Sequence, residues 1–255
     1  MSEPKPGLNS SRFQLFHFQL ARSTRPLWMF LELKRLYEDS EGPFPSLSLH
    51  TFEVAEFRTH KPDWFLEINP NGKVPALVDR EAVREAQSET PSSLTLWDGC
   101  AISLYLLDAL DRDGRLAPRD PQYRAKLYQL CFYCSGTVDN LSASSSPIQR
   151  VMSDPLCGEQ PAIVAQNQKA WKELCGPLLS EWLGEKTFMY GDEFSAVDVV
   201  VGCNLMWLHT KKDWVRNEFP SLYEYYKRLC DRKAFQEATH GRIDKTTGDL
   251  QAAGG

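Results

Sequence analysis

The chain has 255 residues, of which 42% are hydrophobic and 25% charged, the range of globular proteins large enough to bury one or two cores. A formal charge of −5 argues against nucleic acid or an anionic membrane surface as the main partner. No apolar run reaches the length needed to cross a bilayer, and the opening MSEPKPGLNSSR lacks the hydrophobic stretch of a secretory signal.

Seven cysteines, an odd number scattered through helical-looking segments, fit reduced thiols in a cytosol better than a disulfide framework. Cys131 and Cys134 form a C-x-x-C, but inside LYQLCFYCSG and away from any strand-to-helix turn. They read as two packed helix cysteines, not as a redox or metal motif.

In chain order, residues 1–11 are polar and read as a loose arm. FQLFHF (13–18) alternates as a strand, and a helix follows from about Pro26 to Glu38, with Leu27, Phe30 and Leu31 near helical spacing. SLSLHTFEV (46–54) is a second strand, so the opening is a βαβ unit whose strands run parallel. FRTHKPDWFLEINPNGK holds at most a short helix. VPALVD (74–79) and SLTLW (93–97) are short strands, separated by a charged surface excursion over 80–93. A helix opens near Asp98. DRDGRLAPRDP (111–121) reads as an interdomain linker. Segments 121–140, 160–183, 195–209 and 220–238 are helical in pattern, with breaks at 142–147 and 153–160. The end after Gly241 reads as a flexible tail. The expected organisation is α+β: residues 12–110 with the strands, then an all-helical domain over 121–240.

The sharpest local signal is Asn69-Pro70-Asn71-Gly72-Lys73-Val74-Pro75-Ala76-Leu77. Asn-Pro-Asn-Gly is a turn by composition. Proline cannot donate to a sheet ladder, so Pro75 at a strand start suits either an edge position or a cis bond that turns the Val74 backbone outward. Exposed backbone of that kind can pair, strand-like, with an extended peptide. Later, Ser195-Ala196-Val197-Asp198 has the form of a capping box, with Phe194 and Val199 spaced as a hydrophobic staple.

NPNGKVPALVD followed by LWDGCAISLYLLD resembles the glutathione-binding half of the cytosolic glutathione transferases, of the theta-like and bacterial type, over residues 13–110. GDEFSAVD (191–198) resembles the helix-start signature of that family's C-terminal domain. The resemblance implies a thioredoxin-like domain followed by a helical domain, and glutathione as co-substrate with no other cofactor. Val74 would pair with the cysteinyl main chain, with Pro75 in cis. Lys73 and His60, with Lys61 behind them, would serve the glycyl carboxylate. Asp98 would take the α-ammonium of the γ-glutamyl group, and the Gly99 N–H would serve its carboxylate where the family usually has a serine. Asp98 could equally be only the N-cap of its helix.

The family places a thiol-activating hydroxyl after the first strand, four residues before an arginine; counting back from Arg25 reaches Ala21. Ser23 is the nearest hydroxyl and the candidate catalytic residue, with Thr24 next and Arg22 as a source of positive potential. Tyr128 and Phe132, one helical turn apart, would line the apolar second-substrate pocket. The resemblance also implies a cytoplasmic homodimer that conjugates glutathione to a small apolar electrophile, as in detoxification. A glutathione-dependent isomerase or peroxidase would use the same half. So would a carrier of this fold without turnover, which Ala21 and Gly99 favour. No metal-ligand spacing and no phosphate loop is present in the sequence.

Overall fold

The computed structural model describes residues 11–40, 42–53, 57, 60–82, 93–142, 161–209, 214–244 and 246–251. The chain divides into two compact units, Met1–Ala109 and Leu110–Gly255. The expected arm before residue 11, most of the 80–93 excursion and the two breaks near 142–160 lie outside the described residues.

The first unit contains β1 (Phe13–His17), α1 (Thr24–Tyr37), β2 (Leu47–Thr51), α2 (Asp63–Ile68), β3 (Ala76–Asp79), β4 (Leu94–Trp97) and α3 (Gly99–Leu110). Its sheet runs β2-β1-β3-β4, with β1 and β2 parallel and the other neighbours antiparallel. This is the thioredoxin-like arrangement. β1 is central and all five of its residues are buried, so both of its faces are covered, Gln14 and His17 included. On one face Phe16 packs into a cluster with Phe57, Trp64, Phe65 and Ala76, flanked by Phe18, Phe52 and Val74. Elsewhere on the strand, Phe13 meets Phe30 of α1 edge-on at 6.0 Å.

A polar clasp closes one end of the two inner strands, β1 and β3. Arg12 donates from Nε and Nη2 to the two carboxylate oxygens of Asp79 at 3.1 and 3.0 Å, and the Tyr105 hydroxyl donates to Asp79 at 2.6 Å. Burial alone would raise the Asp79 carboxyl, but Arg12, Tyr105 and the Glu81 N–H together hold it below the usual carboxylate range. Burial, then the bond to Asp79, pushes Tyr105 up to about 12.

The second unit is helical. α4 (Pro121–Tyr133) runs on through a π-helical turn, Cys134–Val138, and a further α-helical turn, Asp139–Leu141. α5 (Pro161–Ala170) passes through a second π-helical turn, Trp171–Cys175, into α6 (Gly176–Leu183). Then come α7 (Ala196–His209), α8 (Trp214–Glu218), α9 (Pro220–Cys230) and α10 (Lys233–Ala238). α7 is apolar almost all round and correspondingly buried along nearly its whole length. Gly176 lets the Phe219 ring lie where a β-carbon would stand, 2.3 Å away.

Two segments that read as linker and tail are folded over their described residues. The linker over 111–120 is a folded turn: the Asp111 carboxylate accepts from the N–H groups of Arg115, Leu116 and Ala117 at 2.9, 3.1 and 2.7 Å. The tail after Gly241 is not loose over its described part. Ile243 bridges Leu250, Ile243 is buried, and the Tyr223 and Tyr226 hydroxyls donate to the carbonyls of Thr247 and Gly248. Cys131 and Cys134 are both buried and not joined in a disulfide, as packed helix cysteines.

Candidate functional site

In the first unit three segments meet around Gly99. An atom at its β-carbon position would lie 3.3 Å from the Arg22 carbonyl oxygen, 3.6 Å from Arg25 Nη1 and 3.7 Å from Pro75 Cγ. The loop after β1, the start of β3 and the start of α3 therefore converge on one spot. The register explains how: Phe16 pairs with Ala76, which sets Val74-Pro75 beside the end of β1.

The Val74–Pro75 peptide bond is cis. Among the described residues neither the N–H nor the C=O of Val74 has a hydrogen-bond partner. That leaves one donor and one acceptor of an extended backbone open at the lip of the sheet. The turn before it is held by Asn69, which accepts from the Asn71 N–H at 3.0 Å and donates to the Lys73 carbonyl at 2.6 Å. Gly72 sits at φ +59°, and the Lys61 stem crosses it, with Cδ 2.9 Å from the place of a β-carbon. Lys61 thus packs against this turn and reaches over the Phe57 ring, its Nζ 5.7 Å from the centroid. His60 and Lys73 are both solvent-exposed. Lys61, the weaker candidate in the sequence, is the one the fold packs there.

Asp98 opens α3. Its Oδ1 accepts from the N–H groups of Cys100 and Ala101 at 2.9 and 3.1 Å, while its backbone stands at φ +82° and its side chain is exposed. A helix N-terminus with an exposed carboxylate at its mouth offers opposite charges side by side. That pairing suits a zwitterionic group with an ammonium and a carboxylate on one carbon.

The β1–α1 loop corrects the reading of Ser23. Its side chain is fully buried, and its Oγ accepts from the Phe18 N–H and donates to the Phe18 carbonyl, each at 3.1 Å. A hydroxyl has one proton, and Ser23 gives it to Phe18, so in this arrangement it has none for a sulfur. Ser23 adopts αR backbone geometry and makes no side-chain cap to α1. Thr24 is buried as well, its hydroxyl without a partner among the described residues.

Sequence reasoning missed Arg25. Its guanidinium is only 2% exposed and donates from Nη1 to Cys100 Sγ at 3.3 Å. The available signal was its position: a cation in the first turn of a helix opposes the dipole, which implies another claim on it. Arg22, half-buried beside it, adds to the positive potential at this mouth.

In the second unit Tyr128 and Phe132 lie on a face of α4 where they are 40% and 72% exposed. They are not the residues that line a described cavity on α4: that cavity takes Lys126, Gln129 and Leu130 from the helix. The Ser195–Asp198 motif is structural. Asp198 accepts from the Ser195 N–H and Oγ at 2.8 and 3.1 Å, and from the Met189 N–H and the Tyr225 hydroxyl at 2.8 Å each. Burial nonetheless raises its carboxyl above the usual range. Among the described residues no group of histidines, cysteines and carboxylates could hold a metal ion.

A family model described as glutathione S-transferase, N-terminal domain, matches residues 23–109, and one described as glutathione S-transferase, C-terminal domain, matches residues 141–233. The chain is 26% identical over 187 residues to glutathione S-transferase D6 of Drosophila melanogaster, covering 72% of this chain and 74% of that one. It is 28% identical over 186 residues to glutathione S-transferase F13 of Arabidopsis thaliana, covering 71% and 78%. In fold it is similar to glutathione transferase URE2P8 of Phanerochaete chrysosporium, solved with oxidized glutathione. The TM-score is 0.68 and the identity 16%, over 92% of this chain and 96% of that one. With the open Val74 backbone, the exposed carboxylate at the start of α3 and both domain signatures in order, the chain belongs to the glutathione S-transferase family of enzymes.

Proposed function

We propose that the protein joins the thiolate of glutathione to a small, largely apolar electrophile, with glutathione as co-substrate and no further cofactor. The observation that supports this best is the convergence at Gly99 of the cis-Pro75 strand, the α3 N-terminus and the β1–α1 loop. In this reading Val74 N–H and C=O pair with the cysteinyl main chain. Asp98 takes the α-ammonium, with its Oδ1 still capping α3. The Gly99 N–H meets the γ-glutamyl carboxylate. Lys61 and Lys73 supply positive charge for the glycyl carboxylate, with His60 next in line.

Sulfur activation then falls to the field at the start of α1. The dipole of α1, with Arg22 and the buried Arg25, favours the thiolate over the thiol. Ser23 contributes by fixing the loop. Catalysis consists of lowering the thiol pKa and holding the sulfur near the electrophile. Tyr128 and Phe132 are retained as candidates for contact with the co-substrate. A homodimer working in the cytoplasm, with detoxification as its role, completes the proposal.

A second reading, a glutathione-binding carrier without turnover, is favoured by Ala21 and by the inward commitment of Ser23 Oγ. One experiment separates the two. Glutathione binding is first established by calorimetry, and thiolate absorbance of the bound peptide is then followed against pH. A thiol pKa well below that of free glutathione supports the enzyme; binding with an unshifted pKa supports the carrier.

A further inference from the structure

Gly99 occupies the place where the resemblance puts a serine, and the space that serine would use is already bordered. An atom at the β-carbon position would lie 3.3 Å from the Arg22 carbonyl oxygen, 3.6 Å from Arg25 Nη1 and 3.7 Å from Pro75 Cγ. One of these three neighbours carries a full positive charge. A side chain at 99 would press first on the Arg22 carbonyl; glycine leaves the guanidinium beside the bare backbone at the start of α3.

The guanidinium is fixed there from the α3 side. Arg25 is buried, and its Nη1 donates to the sulfur of Cys100, the residue after Gly99, at 3.3 Å. Sulfur is a weak acceptor, so Cys100 orients the cation while leaving its charge to act on an anion. Burial strengthens that action, because solvent and salt screen a covered charge less than an exposed one.

The main chain supplies a second donor. Asp98 Oδ1 takes the Cys100 and Ala101 N–H groups, whereas the Gly99 N–H has no partner among the described residues. One N–H serves one oxygen of a carboxylate, and a planar guanidinium suits the other. The exposed Asp98 carboxylate lies next in the chain, for an ammonium on the same carbon.

From this we infer that Arg25 is the charge partner of the γ-glutamyl α-carboxylate, in place of the hydroxyl that Gly99 lacks. The inference rests on the glutathione reading of the site and assigns one of its contacts. Cys100 is then a positioning residue for the guanidinium. Two consequences follow for recognition. A γ-glutamyl peptide without its α-carboxylate is rejected through Arg25, and a serine restored at position 99 weakens binding, because it intrudes on the carbonyl and the guanidinium together.

The test titrates the full chain calorimetrically with glutathione and with 4-aminobutanoyl-cysteinyl-glycine, which keeps the ammonium and lacks that carboxylate. The parent should prefer glutathione by about 100-fold, the effect of two charge-assisted contacts. In Arg25→Gln the preference should fall to about ten-fold, that of the Gly99 N–H alone, with affinity for the analogue within about two-fold of the parent. Gly99→Ser should bind glutathione about five-fold more weakly or worse. An Arg25→Gln preference equal to that of the parent would overturn the inference, and so would tighter glutathione binding by Gly99→Ser. If Arg25→Gln does not fold, the parent decides, since a preference of about ten-fold or less needs only one N–H. A parent that binds no glutathione overturns the proposed function itself; one that binds it with a preference Arg25 does not move overturns this inference alone.

Discussion

Replacing Asp98 with alanine removes the acceptor for two backbone N–H groups and, in the proposed complex, the partner of the glutathione ammonium. The two losses separate by assay. An N-cap of this kind is worth about 1 kcal/mol, and alanine at φ +82° adds a left-handed penalty of about 1 kcal/mol. The free protein should therefore lose about 2 kcal/mol by urea unfolding followed by circular dichroism. An exposed charge-assisted hydrogen bond at the low end of its range, about 1.5 kcal/mol, corresponds to a roughly ten-fold rise in the glutathione dissociation constant. Asp98→Asn isolates the second term. Asparagine keeps the Oδ1 cap and tolerates positive φ, so stability should stay within about 0.5 kcal/mol of the parent. It lacks the charge, so the ten-fold loss of affinity should remain. If Asp98→Asn binds glutathione as the parent does, Asp98 is a helix cap and nothing more.

Ser23→Ala should cost about 2 kcal/mol by urea unfolding, because it orphans the Phe18 N–H and carbonyl. The thiol pKa of bound glutathione should not move; a rise would return Ser23 to the sulfur. For the Arg12–Asp79 clasp, the Asp79 pKa is lower folded than unfolded, so its stabilisation is present above the unfolded value of about 3.9 and is lost as pH falls through the folded value. Asp79→Asn should cost roughly 2–3 kcal/mol at neutral pH and flatten the stability loss of the parent below about pH 4; an undiminished acid slope would rule Asp79 out as its source. Asp198→Ala strands the Met189 and Ser195 N–H groups and the Tyr225 hydroxyl in the core, a loss of about 3–5 kcal/mol. A change under 1 kcal/mol in the urea midpoint analysis would contradict that count.

What the sequence made legible was periodicity and turn chemistry. The alternation of 13–17, the helical spacing from Pro26 and the Asn-Pro-Asn-Gly turn each express a local rule, and each element stands where that rule places it. Side-chain direction at a helix start is not such a rule. Ser23 has the residue type of a cap, but its αR backbone sends Oγ back to Phe18, and only the closed loop reveals this. Lys61 and His60 are adjacent, so their spacing to Val74 hardly differs; the φ +59° turn at Gly72 is what brings the Lys61 stem across it. The tail reads as loose because it is polar and ends in glycine, yet Ile243 and Leu250 within it meet as an antiparallel bridge.

Two departures from the family pattern, at positions 21 and 99, look independent in the sequence and are neighbours in space. The atom nearest to a β-carbon at Gly99 would be the carbonyl oxygen of Arg22, the residue after Ala21. A serine there would press on that carbonyl at 3.3 Å, tighter than ordinary van der Waals contact, and the loop would have to retreat by a few tenths of an ångström. Glycine at 99 is thus the condition for the β1–α1 loop to sit close to α3, with Arg25 Nη1 reaching Cys100 beneath it. The loop that approaches this way carries no hydroxyl at its tip and brings two arginines instead. A side-chain proton donor acts on one atom at hydrogen-bond distance, whereas a buried guanidinium and a helix terminus act through a field that weak solvent screening preserves. In the proposed reading, recognition rests on main-chain groups of Val74 and α3 outside the loop that departs from the pattern. Activation in that reading falls to a set of fixed charges in place of one hydroxyl.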